Sequence, residues 1–198
     1  MKIHKNQGLT LIELIVAFGI AGILMAVIGS FLMTHVKSFH RSANQMELQQ
    51  QGQFAMDFLK RNIVSARGIF DIEGSLEGAN EERNISKIIF DMKEKNDGKL
   101  SDLVFELKET NKLFYGVGKI IVTSESEKKF LGSAKTEVAN YIKKIVVKPL
   151  PEDIIYEQGK YEQAKGINVV IELEKEGEKE RISSSFHFRN YVQGREME

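Results

Sequence analysis

Residues Leu14 to Met33 run for twenty positions without a charge, and Ser30 is the only polar side chain among them. No other feature limits the fold as strongly. A helix of that length rises ~30 Å, the thickness of one bilayer core. Being apolar on every side, it lacks the polar face that a surface helix of a soluble domain needs. Gly19, Gly22 and Gly29 interrupt it, but lipid offers a freed backbone no alternative partner, so glycine is tolerated there. A secretory signal would have a core of ~7–15 residues and an A-x-A-like cleavage site; this run is longer, and the "GSFLMTHV" at its end is a poor site. Lys2, His4 and Lys5 precede the run with no acid among the first seven residues. That bias places the N-terminus in the cytoplasm and the rest of the chain outside.

Glu13 stands directly before the run. A carboxylate inside a spanning segment costs at least ~2 kcal/mol. A plain signal anchor therefore explains the length of the segment but not the acid.

The residues around Glu13 supply an explanation. "QGLTLIELIVA" resembles the processing and methylation motif of type IV prepilins and pseudopilins: Gly, an apolar residue, Thr, two apolar residues, Glu, then a long apolar helix. The resemblance implies a leader at residues 1–8. A membrane-bound prepilin peptidase would cut between Gly8 and Leu9 and methylate the new amine of Leu9. The family usually has Phe at the new first position, where this chain has Leu9. The resemblance also implies that Thr10 and Glu13 serve assembly. The positive amine of an incoming subunit would meet the matching Glu13 of a neighbour. In a low dielectric that attraction is worth far more than in water, and pairing offsets the cost of burying either charge alone. Residues 9–36 would form the membrane and filament-core helix, with Leu14, Phe18, Leu24, Ile28 and Met33 inside the span.

Helical signals continue. From Thr34 to Arg67 there is no proline and only one glycine, Gly52, a candidate bend. Phe39, Ala43 and Met46, then Ala55, Leu59, Ile63 and Ala66, recur at spacings of three and four, which predicts a buried face on an amphipathic continuation at 37–67. Gly68 is the expected C-cap. The acidic, aperiodic "DIEGSLEGANEERN" at 71–84 reads as a loop. Beyond it the pattern turns to strands: "KIIFDM", a loop at "KEKNDGK", "SDLVFELKE", "LFYGVGKIIVTS", and "ANYIKKIVVKPL" with a start ambiguous between helix and strand. "GINVVIELE" and "ERISSSFHF" flank the charged "KEGEK" as a hairpin. In the last strand Ile182, Ser184, Phe186 and Phe188 share one face and His187 takes the other. A long helix followed by antiparallel strands predicts an α+β fold, with a β-rich head at 68–198 on the second half of the helix. This too resembles pilin-like proteins. "LQQQGQFAMDFLKRNIVSA" and "FHFRN" resemble a subgroup of larger minor pilins and pseudopilins, the J-like or W-like ones.

Chemistry in the head has little support. The chain has no cysteine, which excludes disulfides, thiol catalysis and Cys-based metal sites. His35 and His40 are five apart and do not share a helix face. The acids of 71–82 match no calcium loop, and "YGVGK" marks a bulge or bend in a strand rather than a phosphate loop. Lys plus Arg and Asp plus Glu each number 28, so there is no basic footprint for nucleic acid. The expectation is a structural subunit with no enzyme activity, cofactor, metal or small-molecule substrate. Its partners would be major and minor pilin subunits, the prepilin peptidase, the cytoplasmic membrane and the assembly platform. The alternative is an unprocessed, single-pass anchored binding domain.

Overall fold

The computed structural model describes residues 10–77, 82–92, 102–124, 127–151, 154, 156, 161 and 163–191. One helix, α1, covers Leu11–Ile63. Nine strands follow: β1 Ala66–Glu77, β2 Glu82–Met92, β3 Asp102–Lys108, β4 Lys112–Ser124, β5 Glu127–Gly132, β6 Thr136–Ala139, β7 Ile142–Leu150, β8 Gly166–Lys175 and β9 Glu178–His187. The sheet order is β5-β4-β3-β2-β7-β8-β9, with β1 on β2 and β6 on β4. Among the described residues every pairing is antiparallel. The fold is α+β, a long N-terminal helix packed on an antiparallel sheet, as expected.

The chain divides into two compact units between Ala43 and Asn44. In the first, every described residue is exposed. In the second, the helix buries Leu48, Gly52, Ala55, Met56, Leu59 and Ile63 in one cluster with Ile72, Ile88, Phe105, Ile145, Ile167 and Ile171 from the sheet. The row of Ala55, Leu59 and Ile63 is buried as the spacing predicts. Phe39, Ala43 and Met46 are not; all three are exposed. Their period of three and four is real, but no described strand covers them.

Gly52 is no bend. A Cβ there would lie 2.4 Å from Cδ1 of Ile182 and 3.0 Å from Cδ1 of Leu173. The missing side chain lets the helix lie close against β8 and β9. The helix also ends earlier than expected, at Ile63, and Gly68 lies inside β1 rather than at a cap. Local bonds close its last turn: the Val64 amide donates to the Lys60 carbonyl (3.1 Å) and the Ser65 hydroxyl to the Asn62 carbonyl (3.1 Å).

The stretch expected as a loop at 71–84 is mostly strand, since β1 runs to Glu77 and β2 begins at Glu82. Register shifts between Ala66 and Gly68, Ile69 and Asp71, and Glu73 and Gly74 explain why it looked aperiodic. Ile69 and Ile72 are three apart yet both buried, which a bulge permits and strict alternation does not. The expected "KEKNDGK" loop lies outside the described residues. The segment 142–150 is a strand throughout, and β5 and β6 are additions to the expected set.

A smaller cluster of Ile89, Val104 and Ala134, flanked by Phe70, Phe114 and Phe130, forms a second packed group apart from the main core. The glycines of "YGVGK" make room for it: a Cβ on Gly118 would lie 2.5 Å from the Phe130 ring. The β8–β9 turn has positive φ at Glu176 (49°) and Gly177 (86°), the two-residue geometry that suits strand twist. Asp102 is the buried polar residue of the described chain. Its two oxygens accept the Met92 amide (3.1 Å) and the Ile120 amide (2.7 Å), tying β2, β3 and β4.

Candidate assembly site

Thr10 precedes α1 and Glu13 is the third residue inside it. The Thr10 amide donates to Oε2 of Glu13 (2.8 Å), and the Thr10 hydroxyl donates to the same oxygen (2.8 Å). In return the Glu13 amide donates to Oγ1 of Thr10 (3.4 Å). The Leu14 amide closes the first turn on the Thr10 carbonyl (3.2 Å). This is a capping box: the two side chains satisfy helix-start amides that would otherwise lack partners. It also sets a carboxylate at the positive end of the helix dipole.

The sequence reading gave Glu13 a partner only in a neighbouring subunit. The structure gives it one in its own chain as well. The signal was present in the sequence, since T-x-x-E ahead of an apolar run is the capping-box pattern. The local bonds occupy Oε2; no described residue is bonded to Oε1. The carboxylate is therefore held facing the chain start with one oxygen open to a cation. Gly8 and Leu9, the expected cut and methylation positions, lie outside the described residues.

Leu14, Phe18, Leu24, Ile28 and Met33 all lie on α1 and all are exposed. The described chain has one helix long and apolar enough to cross a membrane. Two of its hydroxyls are satisfied internally: Ser30 donates to the Val27 carbonyl (2.9 Å) and Thr34 to the Ser30 carbonyl (3.0 Å). A membrane helix must meet its polar groups in this way. His35 lies against Phe31 in a tilted ring pair, with centroids 4.1 Å apart. Among the described residues no group of three or more His, Asp or Glu side chains could hold a metal.

Where α1 enters the second unit, polar side chains fix it to the β8–β9 turn. Asn44 donates to Glu176 (2.9 Å), Gln45 to Glu178 (3.3 Å) and Lys175 to Glu47 (2.6 Å). The Lys175 bond, with a further one from Tyr141, holds the Glu47 carboxyl below the usual carboxylate range. The same Glu47 bond raises the Lys175 ammonium. The hairpin at "KEGEK" is present as expected, and its contacts to the helix, which form a clasp, are an addition that no short-range sequence pattern signals.

Residues 3–29 match the family model described as the prokaryotic N-terminal methylation motif. No curated protein and no solved structure matches the chain.

Proposed function

We propose, from the premise that residues 3–29 carry the type IV prepilin signature, that this chain is a structural subunit of a type IV pilus or a related type II secretion or competence filament. It acts as a minor pilin or pseudopilin. The peptidase cuts after Gly8 and methylates Leu9. The chain waits in the cytoplasmic membrane with its N-terminus inside, then enters a surface filament through the helix that begins at Leu9. Its work is assembly with other pilin subunits on a membrane platform, not catalysis.

One observation carries this reading. An oriented carboxylate, Glu13, stands at the start of a helix whose described residues up to Ala43 are all exposed. In a simple anchor the acid would do no more than cap the helix start with Thr10. A filament subunit needs both the apolar surface and the acid, because its helix leaves lipid for a bundle in which each buried amine must be paired.

The test is intact mass and N-terminal sequencing after co-expression with a prepilin peptidase, beside Gly8→Ala. A new N-terminus at methylated Leu9, lost in the variant, is the expected result. A chain that keeps Met1, Lys2 and Ile3 beside an active peptidase would overturn the proposal and leave an unprocessed anchored binding domain.

A further inference from the structure

The second unit has charges of opposite sign left over at its two ends. At the C-terminal end of α1, an open cleft of about 400 Å³ is lined by Asp57, Lys60, Arg61, Val64 and Arg189. Its walls are tied together. The Arg189 amide donates to the Val64 carbonyl (2.8 Å), and Asn190 donates to the Ser65 carbonyl (2.7 Å). Lys60, Arg61 and Arg189 are exposed, and none is ion-paired among the described residues. Against the single carboxylate of Asp57 they leave two positive charges among the described residues that line the cleft. The dipole of the helix end holds cations there, but it does not consume them.

At the other end the balance reverses. The Ile142 amide donates to the Asn111 carbonyl, and the Glu174 amide to the Tyr141 carbonyl. These bonds set the β3–β4 turn beside the β8–β9 turn. Three lysines there are ion-paired, Lys112 with Glu137, Lys143 with Glu174 and Lys175 with Glu47, and Lys179 lies across the strand pair from Glu174. Glu109 and Glu176 are exposed and have no cation partner among the described residues; Glu176 accepts only the Asn44 amide. From Asn44 to Lys60 the helix rises ~24 Å, about three Debye lengths at physiological salt. The two ends therefore do not neutralise each other within one molecule.

We propose that the Lys60–Arg61–Arg189 cleft receives the Glu109–Glu176 end of a second copy, so that heads join basic end to acidic end. The contact is heterologous. Each copy that docks presents a fresh cleft, and such an interface grows an open array rather than a closed dimer. The inference rests on the filament reading for its biological setting.

The absence of cysteine makes the test clean. Two tagged full-length copies, one Arg61→Cys and one Glu176→Cys, are co-expressed in membranes and oxidised. The mixed disulfide should exceed either same-type product by ~10-fold. It should fall several-fold when salt rises from about 0.1 M to about 1 M, which shortens the Debye length from ~10 Å to ~3 Å. Lys60→Glu with Arg189→Glu in the Arg61→Cys copy should abolish it, and Glu109→Lys with Glu176→Lys, read from Lys108→Cys in that copy, should restore it. Mixed product no higher than same-type product, or a dominant Arg61→Cys same-type dimer, overturns the proposal. Processing at Leu9 is read in the same samples. Processing without cross-linking refutes the head contact alone, whereas loss of processing refutes the filament reading.

Discussion

The two halves of α1 share one helix and differ in what covers them. Up to Ala43 the apolar side chains are bare; Phe18 is 71% exposed and Phe39 72%. From Asn44 onward Leu48 and Ala55 are fully buried. Hydrophobicity does not explain the contrast, because the bare half is the more apolar one. The difference is that a sheet face covers the second half and no described residue covers the first. An apolar helix is a core element only where a complementary surface exists. Where none exists, the solvent must be lipid or another protein.

The sharpest way to break this comparison is to make one substitution in both halves. Leu48→Ala should destabilise the head by ~2–5 kcal/mol, the usual range for a buried leucine. Leu24→Ala should leave head stability unchanged. Denaturation of the detergent-solubilised chain, followed by a head-domain signal, reads both. Equal losses would mean that the first half is also buried against its own chain.

The next largest effect is steric. Gly52→Leu should cost ~1–3 kcal/mol, because it forces side chains into packed β8 and β9. Gly22→Leu should cost nothing in head stability, since no atom lies within 4 Å of a Cβ built there. Gly52→Ala should lie close to neutral: helix propensity gains ~1 kcal/mol, against the shift of the mobile tip of Ile182. Thermal melts of the three variants order these claims.

Smaller still is the cap. Thr10→Ala should cost ~1 kcal/mol of helix start, visible as faster amide exchange over the first turn and none in the head. The smallest effect belongs to the clasp. Glu47 has a lowered folded pKa, so its contribution is present above the unfolded carboxylate pKa and is lost as pH falls through the folded one. Lys175 has a raised folded pKa, so its share is full below the unfolded lysine pKa and is lost as pH rises through the folded one. The clasp therefore holds across neutral pH and weakens at both extremes. Lys175→Met should flatten the acid limb of a melting-temperature profile; an unchanged limb would show that the clasp adds no stability.

Much of this was legible before any coordinates. The length and uniform apolarity of 14–33 predict a membrane-length helix, and the alternation of Ile167, Val169, Ile171 and Leu173 marks the strand Gly166–Lys175. What stayed hidden has a common cause. The β1–β2 hairpin carries register shifts, so its buried residues fall off the period of two. Gly52 read as a bend because a sequence cannot show that Ile182 lies opposite. Asp102 gives no signal in the sequence because its two amide partners come from residues 92 and 120. Phe39, Ala43 and Met46 differ in the opposite sense: their period is helical, but no described residue of this chain covers the face that they form. At the candidate site Glu13 was legible as an oddity, and its partner Thr10 was legible as a motif three residues away.

The central claim is that the bare half of α1 is built to leave lipid for a filament. The direct measurement is the share of processed chain in filaments sheared from cells that carry the assembly machinery, for the native sequence and for Glu13→Leu. The account predicts native chain with its N-terminus at Leu9 in the sheared fraction. It predicts Glu13→Leu processed equally well but at least ~10-fold scarcer there, a loss of ~1.4 kcal/mol or more in docking. Native chain confined to the membrane fraction, or Glu13→Leu recovered in filaments at the native level, would contradict it.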